Sequence, residues 1–135
     1  TDDPRKLESM TKLSYFEYDF DNDGTEEILE LYTHAERNAN GEMVWDDGQK
    51  WLLVLQDGDK FYSLLSEFVQ LGQVYFTVSG VYEENKMAKI NVYRNTSSNI
   101  KLLSYTFDNG KEGFIEEVLY DSKVINGVFN SIPSY

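Results

Sequence analysis

Cysteine is absent from the chain. That removes disulfides, thiolate metal sites and cysteine nucleophiles together, but it leaves the compartment open, because reducing and oxidising surroundings both tolerate a chain without thiols. Histidine is almost absent: His34 stands alone, so an imidazole zinc site or a serine triad would rest on one residue with no acid or nucleophile pattern around it. His34 therefore reads as a strand-end or loop residue. Bases are scarce as well, with 12 Lys and Arg against 24 Asp and Glu and a formal charge of −12. A nucleic-acid ligand or an anionic membrane surface requires clustered Lys and Arg against phosphates, so neither is expected as a partner. No apolar run approaches the roughly 20 residues that span a bilayer, and the start shows no charged, apolar and cleavage regions of a signal peptide. No membrane insertion of this segment is expected. A phosphate-cradling loop is missing too, since Gly110-Lys111-Glu112-Gly113 lacks both the Walker spacing and its Lys-Ser/Thr ending.

What the chain does contain is strand signal. Its 135 residues, 41% of them hydrophobic, suit one domain, residues 1–135, around a single core. Residues 13–18 and 28–32 alternate apolar and polar, and 50–56, 61–66, 74–82, 87–94, 100–107 and 113–120 are rich in aromatic and β-branched side chains, the composition that fits a pleated surface. Between the runs stand Asn40-Gly41, Asp47-Gly48, Asp57-Gly58 and Asn109-Gly110, pairs that accept the positive φ of tight hairpins. The expectation is an all-β antiparallel meander of about eight strands, as a blade-like sheet or a small sandwich or barrel. Two ends depart from it. Asp3-Pro4 suits a short helix start. Val124, Ile125, Val128, Phe129 and Ile132 recur at helical spacing after a candidate cap at Asp121 or Ser122, which predicts a short C-terminal helix that Gly127 weakens.

The most informative segment is Asp19-Phe20-Asp21-Asn22-Asp23-Gly24-Thr25-Glu26-Glu27. Acidic oxygens fall at loop positions one, three, five and nine. Calcium takes six to eight oxygens, and alternate residues of a tightly wound loop can aim their carboxylates at one centre, with the seventh residue, here Thr25, offering its backbone carbonyl. Gly24 permits the sharp turn and Asn22 tolerates a left-handed conformation. Seven acids and no Lys or Arg lie between Leu13 and Ala35. Converging carboxylates repel, so a counterion is expected, and Ca2+ is the expected cofactor. Asp- and Gly-rich solvated turns also arise without metals, but few share this spacing. Glu30 at position twelve satisfies the bare EF-hand pattern as well. The flanks decide against that reading, because both alternate like strands and Glu26 occupies position eight, where EF-hands usually carry an aliphatic residue.

A strand, then Asp-x-Asp-x-Asp-Gly-x-x-acid, then an aliphatic strand resembles the calcium loops of FG-GAP and VCBS repeats, with Phe20 as the apolar residue at position two and Ile28-Leu29 opening the second strand. More loosely, the chain looks like the single-loop domains of exported lipoproteins of Gram-positive bacteria, through Trp51-Leu52-Leu53-Val54-Leu55, the Asp57-Gly58 turn, residues 61–65, and residues 101–107 with Asn109-Gly110. The resemblance implies Asp19, Asp21, Asp23 and Glu27 as side-chain ligands and Thr25 as a carbonyl ligand. Glu27 replaces the Asp more usual at the ninth position, and its extra methylene leaves direct and water-mediated contact both open. It also implies an extracellular or cell-surface location, lipid-anchored through a segment preceding Thr1. Only one copy of the motif is present, so a complete multi-bladed propeller does not fit this length.

Other chemistry is thin. Glu116-Glu117 and Glu83-Glu84 are adjacent pairs whose side chains point to opposite faces of a strand or cap a turn, unlike facing glycosidase carboxylates. Ten Tyr, eight Phe and two Trp raise the prospect of sugar stacking, for which Trp45, beside Asp46, Asp47 and Gly48, is the candidate ligand-binding aromatic; most rings suit ordinary sheet packing. The leading expectation is a non-enzymatic, calcium-stabilised binding or adhesion-type module whose partner is a cell-surface protein or a glycan. A carbohydrate-binding accessory domain and, behind it, a carboxylate-dependent hydrolase are the alternatives.

Overall fold

The computed structural model describes residues 9–129. Eight main strands and one short hairpin make up its regular structure, and no helix occurs among these residues. The main strands are β1 (Thr11–Tyr18), β2 (Glu27–Thr33), β5 (Gly48–Asp57), β6 (Lys60–Gln70), β7 (Gln73–Ser79), β8 (Lys89–Asn95), β9 (Ile100–Asp108) and β10 (Gly113–Asp121); β3 (Glu36–Arg37) and β4 (Met43–Val44) form the short hairpin. One sheet has the order β1-β2-β5-β6 and the other β10-β9-β8-β7, so spatial order follows chain order within each, and every pairing is antiparallel. The expected all-β meander is therefore present, divided into two four-stranded sheets.

Alternation explains how the sheets meet. Leu29, Leu31, Trp51, Leu53, Leu55 and Leu65 from the first sheet and Val74, Ile90, Val92, Leu103 and Tyr105 from the second belong to one buried cluster. Inward residues two apart on each strand thus fill one core. The chain passes between sheets in two residues, Leu71 and Gly72. Leu71 has φ 51°, and a Cβ added to Gly72 would lie 1.7 Å from the Asn95 carbonyl oxygen, so only glycine fits at this crossover.

Three of the four expected turn pairs sit in hairpins: Asn40-Gly41 between β3 and β4, Asp57-Gly58 between β5 and β6, and Asn109-Gly110 between β9 and β10. Asp47-Gly48 instead opens β5. The Phe68 ring covers Gly48, where an added Cβ would meet Phe68 Cζ at 2.5 Å. The segment expected to run as a strand through Tyr82 stops at Ser79, where Gly80 turns with φ 76°.

The predicted C-terminal helix is not formed over residues 124–129. Its backbone bonds lead elsewhere: the Ile125 N–H donates to the Ser98 carbonyl at 2.7 Å and the Val128 N–H to the Ser97 carbonyl at 3.4 Å. Gly127 adopts φ 74°, outside the helical region. Apolar residues at helical spacing here belong to a segment laid against the turn between β8 and β9. The helix start expected at Asp3-Pro4 lies outside the described residues, as does Ile132.

Candidate metal centre

The acidic loop connects β1 to β2. Tyr18 pairs with Glu27 in the β1–β2 register, so residues 19–26 close the hairpin and both flanks are strands, unlike the helical flanks of an EF-hand. Phe20 anchors the loop: it is 1% exposed and meets Tyr18 and Phe16 edge-on at 5.5 and 6.3 Å. Asn22 takes φ 58° and Gly24 φ 91°, the left-handed turns expected of them.

The winding follows from short-range hydrogen bonds. Asp21 Oδ1 accepts the Asp23 N–H at 3.2 Å and Asp23 Oδ1 accepts the Thr25 N–H at 2.9 Å, two successive turns in which an Asp captures the amide two residues on. Asp19 spans the loop, accepting the Asp23 N–H on Oδ1 at 3.1 Å and the Gly24 N–H on Oδ2 at 2.9 Å. Each acid at an odd position is thereby turned towards the same centre. Asp19, Asp21, Asp23 and Glu27 each bring a carboxylate oxygen within 4.8 Å of the others. Thr25 joins through its hydroxyl, which donates to Asp23 Oδ1 at 2.8 Å.

Glu27 differs from the other three. It is 1% exposed. Oε1 accepts the Phe20 N–H at 2.7 Å and the Asp21 N–H at 3.3 Å, while Oε2 is buried with no hydrogen-bond partner. A carboxylate oxygen shut away from water without a donor is costly. Burial, followed by the charges of Asp21, Asp57 and Asp19, raises its pKa from 4.5 to about 7 against the opposing Phe20 N–H. Burial, then hydrogen bonding with Asp19, raises Asp21 from 3.8 to about 6. Asp23 is held below the usual carboxylate range by the Thr25 amide and hydroxyl. Glu27 and Asp21 therefore resist ionisation unless a cation joins them. An all-oxygen donor set with an orphaned buried oxygen fits a hard divalent cation, and binding one would expel protons.

Glu30 lies elsewhere. It sits within β2, 5% exposed, where Tyr32 Oη donates to its Oε2 at 2.9 Å and Lys12 Nζ lies 3.5 Å away. The residue that would close an EF-hand loop thus serves the sheet. Trp45 is also remote from the acids: it stacks on buried Trp51 at 5.5 Å and 17° and packs against the core, which covers one of its faces. His34 follows β2 in a bend and donates its N–H to the Lys50 carbonyl at 3.1 Å.

Three features escaped the sequence reading. Asp57, at the end of β5, is close enough for its charge to act on Glu27; the Asp57-Gly58 turn was visible, but its position beside Glu27 depends on the pairing of Ile28 with Gln56. The loop between β7 and β8 is tied to the acidic hairpin: Tyr82 N–H donates to Tyr18 Oη at 2.8 Å, their rings meet edge-on at 5.5 Å, and Asn22 Nδ2 lies 3.0 Å from Met87 Sδ. Glu116 accepts a hydrogen bond from Tyr105 on the core side of β10. No sequence signal marks the last two, because their partners are distant in the chain.

No protein-family model, curated protein or solved structure matches this chain.

Proposed function

We propose that this chain is a calcium-stabilised, non-enzymatic binding module exposed at the bacterial cell surface, with Asp19, Asp21, Asp23 and Glu27 as side-chain ligands and the Thr25 carbonyl as a further ligand. The observation that carries this reading is the buried, partnerless Oε2 of Glu27 within a cluster whose four carboxylates lie within 4.8 Å of one another. A cation would supply the missing partner. Calcium is favoured among hard cations because it accepts six to eight oxygens in flexible geometry, whereas magnesium demands near-ideal octahedra and keeps several waters. The resemblance of the loop to FG-GAP and VCBS calcium loops supports the same choice, and the likeness to exported lipoproteins supports the location. Calcium sites of extracellular modules are commonly weak, with dissociation constants of roughly 10⁻⁴ to 10⁻³ M.

The ion's role in this reading is structural. It ties the ends of β1 and β2 in an oxygen-rich surface loop, where calcium has little power to polarise water, and the module's partner is a cell-surface protein or a glycan. Calorimetry and thermal unfolding test the proposal directly. A ligand bound only by the native state stabilises by about 2.7 kcal/mol at a hundredfold excess over its dissociation constant and by about 1.4 kcal/mol at tenfold, so about 10 mM calcium, ten- to a hundredfold above such constants, should raise the melting temperature measured in chelator by several degrees. Identical melting in both conditions, with no heat of binding, would sink the metal assignment.

A further inference from the structure

Beyond the acidic loop, β6 and β10 border an open cleft of about 420 Å³ lined by Phe61, Tyr62, Leu64, Tyr105, Phe114 and Glu116. Four of its lining residues are aromatic, and Ser63 and Glu116 add polar groups. Phe114 meets Tyr62 edge-on at 5.5 Å and 74°, and Phe107 braces Phe114 from the other side at 5.5 Å and 72°. Its one charge among the lining residues is a carboxylate. Tyr105, 4% exposed, donates its hydroxyl to Glu116 Oε2 at 2.7 Å, so the carboxylate is held in place as an acceptor. Burial and the charge of Glu116 push the Tyr105 phenol well up, which keeps it a donor. The backbone places Glu116 here: it pairs with Tyr105 across β9 and β10, two residues from Phe114, so all three side chains share the inner face.

The surroundings are negative. At Tyr62 the exposed Lys60 acts against Asp57, Asp21 and Glu112; Glu67 acts on Tyr105 and is paired with Arg94 at 2.8 Å. No Lys or Arg lines the cleft, and the whole chain carries −12. Anions are therefore repelled. A cation is attracted both by the carboxylate and by the electron-rich faces of the rings, the combination that recognises ammonium groups in aromatic cages.

We propose that the cleft between β6 and β10 binds an organic cation, an alkylammonium or guanidinium group, held by the rings of Tyr62 and Phe114 with Glu116 as its counter-charge. The site needs no metal, although the charge of Asp21 in the acidic loop is felt at Tyr62. Calcium-saturated protein is the right sample, because the acidic loop is then unavailable to the probe. Titrations followed by NMR would use choline, its uncharged tert-butyl isostere, and the blocked amides of lysine and arginine. Choline or a blocked basic residue should shift Tyr62 and Phe114 signals, and the uncharged isostere should bind at least about tenfold more weakly. A preference for choline points to a free amine or headgroup, and one for the blocked residues to a basic side chain of a partner protein. Glu116→Gln, a change at an exposed side chain, should weaken binding about tenfold with unchanged melting, and Tyr62→Leu, which removes a ring packed against the core, should weaken it as far while lowering the melting temperature. Equal binding of the isostere, wild-type affinity in Glu116→Gln, shifts confined to other residues, or binding of neutral oligosaccharides in place of cations would each overturn the assignment.

Discussion

At the residue scale, Glu27 decides the behaviour of the acidic loop. With a folded pKa of about 7 against 4.5 in the unfolded chain, the calcium-free native state holds more protons than the unfolded state across that interval. Stability then falls as pH rises, because ∂ΔG/∂pH follows the difference in bound protons between the two states. Asp21, raised from 3.8 to about 6, acts in the same direction over a lower window. In chelator, the melting temperature should decline between pH 4.5 and about 7. Glu27→Gln should flatten that decline and remove the response to calcium. Melting curves of both proteins across this range, with and without calcium, check the sign. The ligand set has its own comparison: Asp21→Asn should lose most calcium affinity by calorimetry, while Glu30→Gln should keep it, because Glu30 belongs to the Tyr32 and Lys12 contacts in β2. Greater loss in the Glu30 variant would reverse the choice between loop types.

At the scale of elements, the acidic hairpin and the loop between β7 and β8 act on one another. Tyr18 ends β1 and accepts the Tyr82 N–H at 2.8 Å, while Asn22 in the loop touches Met87. Tyr82 is 86% exposed with φ 60°, a strained position for a bulky residue that survives only where its surroundings hold it. Removing calcium should loosen the acidic loop and with it residues 80–88. Hydrogen exchange should show the Tyr82 amide protected more strongly in calcium than in chelator. In Tyr18→Phe, which deletes the acceptor and keeps the ring, that difference should shrink while calorimetric affinity stays close to wild type. Protection at Tyr82 that ignores both changes would show that the two loops are uncoupled.

For the whole molecule, the decisive joint is the crossover at Leu71 and Gly72, which lets a single meander fold back as two sheets over one core. Gly72 packs on the Asn95 backbone so closely that a methyl has no room. Gly72→Ala should cost at least about 2 kcal/mol through overpacking against backbone that cannot yield. Gly58 supplies the contrast, since it has φ 56° but nothing within 4 Å of an added Cβ, and Gly58→Ala should cost about 1 kcal/mol for the left-handed conformation alone. Urea denaturation of the two variants orders these costs, and a milder loss at Gly72 than at Gly58 would place the joint elsewhere.

Sequence by itself determined what depends on neighbours a few residues apart. Alternation in residues 13–18 and 28–32, and aromatic and β-branched composition in the other six runs, marked the eight main strands, because both signals lie within the strand itself. Asn22, Gly24 and the odd-numbered acids set the winding of the acidic loop, because each Asp captures an amide within five residues. The tertiary structure decided everything whose partners are far apart. The helical spacing of residues 124–129 lost to hydrogen bonds with Ser97 and Ser98, since a backbone N–H takes whichever carbonyl the packed chain presents. The pairing of Glu116 with Tyr105 required the β9–β10 register. Glu27 was legible as an acid at the ninth loop position, but its burial beneath Phe20 and its unpartnered oxygen arise only when the core closes over it, and burial is what turns a turn-forming acid into a group that calls for a cation.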